Sequence, residues 1–363
     1  MLHRAGRWVI RLLLPHKLGE ILAKIWPTSI LFSKFEVFST WWATVPRFRR
    51  HVATNILVGL AIAVALHLFH GSSWLQETED AGIDWMIRMN KGVVEQPKTS
   101  YAFLDIDEKT YRHWGEPFYT PREGLLKIID YATSGQPKLV FVDIELANRG
   151  HDQDADRAIE QFIFDYPTKA PPLVLVRTFR EKLGSPGTVE QRPSFLEDIV
   201  SSKPNVFWAS TLFLREADHS IRRWQLWTGA ENRQAVMEPI PSIQLFATAV
   251  AQHTSSPPQT IYKEIKDKLT PYVSGKKISK GTLDLASLTI SLKPSPLQQR
   301  IIYTFPAKHE KGARPPTIQT SRGIRPLIMQ RSVMPIVTSP QPIDNSWLKD
   351  RVVVVGASFA DSR

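Results

Sequence analysis

The chain has 363 residues, 42% of them hydrophobic and 22% charged, which suits a folded protein with a sizeable core. It contains no cysteine, so disulfides and thiolate chemistry are excluded. Its formal charge is +11, but nine Lys or Arg and two Glu put +7 into residues 1–50 and leave +4 for the rest, a distribution that points to a membrane and not to nucleic acid.

The tail, residues 1–51, mixes its cations with Leu, Ile, Phe and Trp. Arg4, Arg7 and Arg11 would share one helical face, and Pro15 and Pro27 limit helix length. Two readings stay open: a segment lying on an anionic leaflet, or a poorly ordered tail. Val52–Phe69 then runs for 18 residues without Asp, Glu, Lys or Arg, about 27 Å as a helix and close to the minimum for a bilayer. A cleavable signal peptide is a poor fit, because the basic region is too long and Leu68-Phe69-His70 lacks small residues. A buried core helix is the bland alternative. The reading adopted is one uncleaved transmembrane helix over residues 52–70. Arg47, Arg49 and Arg50 flank one side only, so the N-terminus is expected in the cytoplasm and residues 71–363 outside it.

Residues 77–90 read as a short amphipathic helix. Between Tyr101 and Leu146 two apolar runs, Tyr101–Ile106 and Leu139–Ile144, have strand length and β-branched or aromatic content. Neither alternates cleanly, which favours strands buried on both faces of a parallel sheet. Between them Thr120 is a candidate N-cap, Pro121 suits the first helical position, and Leu125, Ile128, Ile129 and Ala132 recur at helical spacing. Gly135 is expected to close the helix in the left-handed conformation, with Pro137 preventing continuation. The unit is a right-handed βαβ crossover. Asp152, Asp154 and Asp156 are spaced as in a calcium loop, yet Arg157 and Ile163 occupy the positions that need Gly and Glu, so helix capping over Ala155–Phe164 is the better reading.

Further along, Leu173–Phe179 reads as a strand and residues 180–204 as a polar insertion. Val206–Leu214 and Arg223–Trp227 read as a strand pair, and Ser242–Gln252 as a helix capped by Ser242. Residues 253–281 look like a surface excursion, Leu283–Leu292 and Arg300–Phe305 like strands, and 306–346 irregular. Val352–Gly356 is a fully apolar strand. The expected fold class is α/β with a mostly parallel central sheet and flanking helices, preceded by one transmembrane helix.

In such sheets ligands bind beyond the carboxyl ends of the strands. Asp105, Asp107 and Asp143 fall there, and Arg122 opens the crossover helix. These four are the candidate ligand-binding residues, with an ion-paired structural cluster as the alternative. No metal or cofactor is expected, since the ten histidines lack ligand spacing and no dinucleotide, Walker, zincin or Gly-x-Ser-x-Gly motif is present. Asp105-Ile-Asp107 resembles the haloacid-dehalogenase phosphatases, whose first aspartate is nucleophile and second is general acid. That motif wants Thr or Val where Lys109 stands, and Asp after the last Gly, where Ala357 follows Gly356. Phosphohydrolase is therefore the alternative function, and no enzymatic activity is the expectation.

The order of motifs over residues 71–363 resembles the extracytoplasmic CHASE sensors of the second type, which are joined to bacterial cyclases and histidine kinases. The matching features are Asp80 and Asp84 after the membrane helix, FLDIDEKT, the aromatic loop ending in Pro121-Arg122, and LVFVDIEL. They continue with the aspartates before Ala158-Ile159, ASTLFLREADHSIRR with Asp218 and Arg222 or Arg223, PSIQLFATAVA and LKDRVVVVGASFAD. The resemblance implies signal sensing at the bacterial inner membrane, an extracytoplasmic ligand, and a signalling partner or homodimer. It also implies a further loop, membrane helices and an output domain beyond Arg363, so the sensor domain is expected to be incomplete.

Overall fold

The strand, helix and strand signals of Tyr101–Leu146 become the start of a six-stranded, wholly parallel sheet. The computed structural model describes residues 44, 46–69, 73–89, 99–185, 188–215, 221–252, 256–273, 281–285, 288–291, 299, 301, 317–320 and 323–359, with side chains at 50, 65, 66 and 69 among those left undescribed. Two compact units are separated, Met1–Met89 and Asn90–Arg363.

In the first unit α1 (Arg47–Phe69) and α2 (Ser73–Met89) are helical. The transmembrane segment expected over residues 52–70 coincides with α1 up to Phe69. Among the described residues no helix is long and apolar enough to cross a membrane.

The second unit opens with β1 (Tyr101–Ile106), α3 (Glu108–His113), α4 (Arg122–Ser134), β2 (Leu139–Val142), α5 (Gln153–Phe164) and β3 (Leu173–Val176). Then come β4 (Phe179–Glu181), β5 (Val189–Gln191), α6 (Glu197–Ser202), β6 (Val206–Ala209), β7 (Phe213–Arg215), β8 (Ile221–Trp224), β9 (Trp227–Glu231) and β10 (Met237–Pro241). After these lie α7 (Ile243–Gln252), α8 (Pro258–Val273), β11 (Thr282–Leu285), β12 (Leu288–Ser291), β13 (Thr317–Thr320) and β14 (Gly323–Pro326). β15 (Ile328–Ser332), α9 (Met334–Thr338) and β16 (Val352–Ala357) close the described chain.

The central sheet has the order β15-β1-β16-β2-β3-β6. The connections β1 to β2, β2 to β3, β3 to β6 and β15 to β16 all step the same way. A uniform crossover hand therefore requires their helices on one face. That is observed: Leu125, Ile128 and Ile129 of α4, Ile159 and Ile163 of α5, and Val200 of α6 pack with Ala102, Leu104, Val140 and Val353. The reverse connection from β6 to β15 carries α7 and α8, and Phe246, Ile261, Ile265 and Leu269 cover Phe141, Val174 and Phe207 on the opposite face. β2, β3 and β6 are buried throughout, which is why their sequences run apolar without alternation. Each such side chain contributes about 1.5–3 kcal/mol on leaving water. A second sheet, β10-β9-β5-β4, and three two-stranded ribbons complete the described strands.

Several expectations need correction. β1 and β2 are not neighbours, because β16 lies between them and pairs with both. The helix begins at Arg122 behind Pro121, with no side-chain cap from Thr120. Gly135 has φ −71°, and Gln136 takes the left-handed value of 53°. Gly135 is needed for another reason: a Cβ there would sit 2.9 Å from both the Asn345 carbonyl oxygen and Leu348 Cβ. Residues 180–204 and 253–281 are not simple excursions, since they hold β4 with β5 and α6 in the first case and α8 in the second. Residues 306–346 supply β15 and α9. Val206–Leu214 divides, with β6 joining the central sheet and only the β7 end pairing with β8. Leu283–Leu292 is a hairpin of β11 and β12 in place of one strand. Most of Arg300–Phe305 lies outside the described residues. Ser242 does cap α7, its Oγ accepting from Leu245 N at 3.1 Å.

Candidate functional site

Side chains alternate along a strand, and register partners in a parallel sheet share a face. Ala102, Leu104 and Ile106 point to the α4–α5 side, so Tyr101, Phe103 and Asp105 point to the other. Asp105 pairs with Gly356, and Val355 pairs with Val142, one residue before Asp143. The Asp143 amide donates to the Val355 carbonyl at 2.8 Å. Asp105, Gly356 and Asp143 thus form a row across three strands, with the two carboxylates on one face and about 10 Å, two strand spacings, between their backbones. Glycine makes this possible. A Cβ on Gly356 would stand 3.0 Å from Phe103 Cε2, so the Phe103 ring leans into the gap between the two acids.

The two carboxylates differ in their surroundings. Asp105 is only 5% exposed. Its Oδ2 accepts from Gln330 Nε2 at 2.6 Å, while Oδ1 is buried and finds no partner among the described residues. The Asp143 carboxylate is accessible, but the surrounding protein desolvates it and raises its pKa above the ordinary carboxylate range. No hydrogen bond or ion pair to its carboxylate is found among the described residues.

The other two candidates are engaged locally. Asp107 caps α3, accepting from Thr110 N at 2.9 Å and Thr110 Oγ1 at 2.7 Å. Desolvation works to raise its pKa, but the bonds from Thr110 and Ser332, helped by Lys109, hold it below the usual value. Arg122 projects from the start of α4. Its Nε bonds Asp156 Oδ1 at 3.3 Å and its Nη2 bonds the Asn148 carbonyl at 2.9 Å. Direct contacts join Arg122 to Asp156, not to Asp105, Asp107 or Asp143. The physical reason is topological. Arg122 and Asp156 start helices on the α4–α5 face, whereas Asp105 and Asp143 lie on the opposite face.

Of the three alternate aspartates, only Asp152 caps α5, accepting from Asp154 N and Ala155 N. Asp156 is instead the buried partner of Arg122. Gln330 and Phe103 gave no local signal, because their importance arises only from strand pairing. Gly356 was visible as the end of an apolar run, but its neighbours were not. Asp218, and Asp361 at the end of LKDRVVVVGASFAD, lie outside the described residues. No group of three or more His, Cys, Asp or Glu among the described residues is placed to hold a metal ion.

The CHASE2 domain model matches residues 58–363. The chain belongs to the CHASE2 domain family. CHASE2 is an extracellular sensory domain, found in membrane proteins, and the resemblance of the motifs between FLDIDEKT and LKDRVVVVGASFAD to that family is borne out. No curated protein and no solved structure matches the chain. The CHASE2 match includes β1 and β16, which carry Asp105 and Gly356, and β2, which Asp143 directly follows.

Proposed function

We propose that this CHASE2 domain is held at a bacterial inner membrane by α1, faces outward, and senses a cationic ligand at the carboxyl edge of its central sheet. The single observation that carries the ligand reading is Asp105: a buried carboxylate with one oxygen held by Gln330 and the other without a partner among the described residues. A buried acceptor without a donor costs free energy, and a cation recovers it. Asp143 adds a second acid on the same face, and the Phe103 ring between them offers a π surface that also favours positive charge. Asp107 frames the edge by fixing the first turn of α3, and Arg122 by tying the start of α4 to the loop after β2. A ligand bound here relays its signal to an output domain, or through a partner or second copy of the chain.

Membrane anchoring rests on α1. Ile56, Leu57, Leu60 and Ile62 are each more than half exposed along it, an arrangement that water penalises and lipid tolerates. The domain plan of basic tail 1–51, anchor 52–70 and sensor 71–363 follows from that reading.

The test of sensing uses full-length protein in nanodiscs, with thermal unfolding followed against putrescine, spermidine, calcium and magnesium. A saturable rise in Tm that is lost in Asp105→Asn and reduced in Asp143→Asn supports the site. Shifts that survive both substitutions overturn it. We also propose that the domain performs no catalysis, because Asp107 is committed to a helix cap and Asp105 is buried beside Gln330. Magnesium-dependent release of phosphate from a generic ester, abolished by Asp105→Asn, would contradict that.

A further inference from the structure

A second site lies away from the carboxylate row, beside the edge strand β6. There a cavity of about 360 Å³ opens between α6, α8 and the turn joining β9 to β10. This size falls at the small end of ligand pockets. Its lining is polar and its fixed charges balance, so the question is which of them remain unspent.

Most are spent. Arg177 is 3% exposed and grips Glu197 with both terminal nitrogens, at 2.8 and 2.7 Å. Lys266 faces Glu238 at 3.5 Å. Two charges remain on the lining. Arg233 bonds only the Ser194 carbonyl, at 3.1 Å, and the Asp198 carboxylate has no partner among the described residues. The cavity therefore presents one cation and one anion to a guest.

The wall also has a surplus of one kind of polar atom. Arg177 Nε, Gln191 Nε2 and Trp208 Nε1 are buried with no acceptor among the described residues. All three are N–H donors, yet they are sealed beneath the wall, so the charged groups left for a guest to reach are Arg233 and Asp198. Aromatic stacking is not on offer, because the Arg177 guanidinium already covers the Trp208 ring at 3.9 Å and the Tyr262 ring packs against Phe207 and Phe246. That argues against a sugar, which needs an open aromatic face.

We propose that this cavity binds a small zwitterion of the amino-acid class, its carboxylate directed to Arg233 and its ammonium to Asp198. A net anion leaves Asp198 opposed and a net cation leaves Arg233 opposed; a zwitterion compensates both. The site is separate from the carboxyl-edge reading and does not depend on it.

The test is isothermal titration of the full-length protein in nanodiscs with the common α-amino acids. Each is paired with its N-acetyl amide, which lacks both charges, and glucose and succinate serve as further arms. At least one amino acid is expected to bind saturably while its blocked counterpart does not. Asp198→Asn and Arg233→Gln, both at exposed residues, are expected to lower the unliganded Tm only slightly, the second through its lost bond to the Ser194 carbonyl, and to weaken binding about tenfold or more. Asp105→Asn is expected to leave it intact. The proposal is overturned if no amino acid binds, if only glucose or succinate binds, if both cavity variants bind as tightly as the wild type, or if Asp105→Asn abolishes binding.

Discussion

Arg122 Nε stands 3.3 Å from Asp156 Oδ1, with the two side chains 4% and 0% exposed. The pair fastens the loop after β2, because Arg122 Nη2 also holds the Asn148 carbonyl and Asp156 Oδ2 accepts from Gly150 N at 2.7 Å. Burial pulls the Arg122 pKa down and the Asp156 charge opposes that pull. The pair therefore orders the loop between β2 and α5 while neutralising charge that neither residue could carry alone.

Breaking the pair from one side strands the other charge. Arg122→Ala is expected to cost about 3–5 kcal/mol, since Asp156 stays buried without its cation. The measurement is denaturant unfolding of the full chain. The double variant with Asp156→Asn should lose markedly less than the sum of the single changes; additive losses would mean that the two residues do not act together.

Gly135→Ala sets two effects against each other. Alanine restricts the unfolded chain and, at φ −71°, would gain about 0.4–1 kcal/mol. The new methyl instead meets the Asn345 carbonyl and Leu348 Cβ at 2.9 Å, and overpacking of that kind costs about 1–3 kcal/mol. The clash wins on these magnitudes, so a net loss is expected, read as a lower Tm.

Two carboxylates give stability opposite dependences on pH. Asp107 is held below its unfolded value, so its contribution is present above the unfolded carboxylate pKa and is lost as pH falls through the folded pKa. Asp143 is raised, so its folded form binds protons more readily and its contribution is lost as pH rises through the folded pKa. Asp143→Asn should therefore stabilise the protein near neutral pH and flatten the profile just above the ordinary carboxylate range. Asp107→Ala should remove about 0.5–2 kcal/mol of helix capping at neutral pH and little in acid.

Membrane orientation has its own check. In a bacterial host, protease added outside the inner membrane should digest residues 71–363 and spare the basic tail. Protein released by carbonate would remove the anchor from the proposal.

Much of the fold was legible because local chemistry decided it. Continuous apolar runs at Leu139–Val142 and Val352–Val355 can be satisfied only by burial on both faces, and Ser242 and Asp152 cap helices through bonds to the next residues in sequence. The family motifs were legible for the same reason, being short runs whose order survives without knowledge of contacts. Residues 180–204 and 306–346 misled because proline and polar content masked short elements: β5, a three-residue strand paired with β4, and β15, which is held by pairing with the distant β1.

The candidate site was half legible. The sequence by itself placed Asp105 and Asp143 at strand ends and Arg122 at a helix start, because alternation and capping are local properties. Only the tertiary structure decided their partners. A strand's position in a sheet depends on crossover direction and on burial summed over the whole domain, and these inserted β16 between β1 and β2. That insertion set Gly356 between the two acids. The same crossovers carried Arg122 to the opposite face, where Asp156, itself buried, met it.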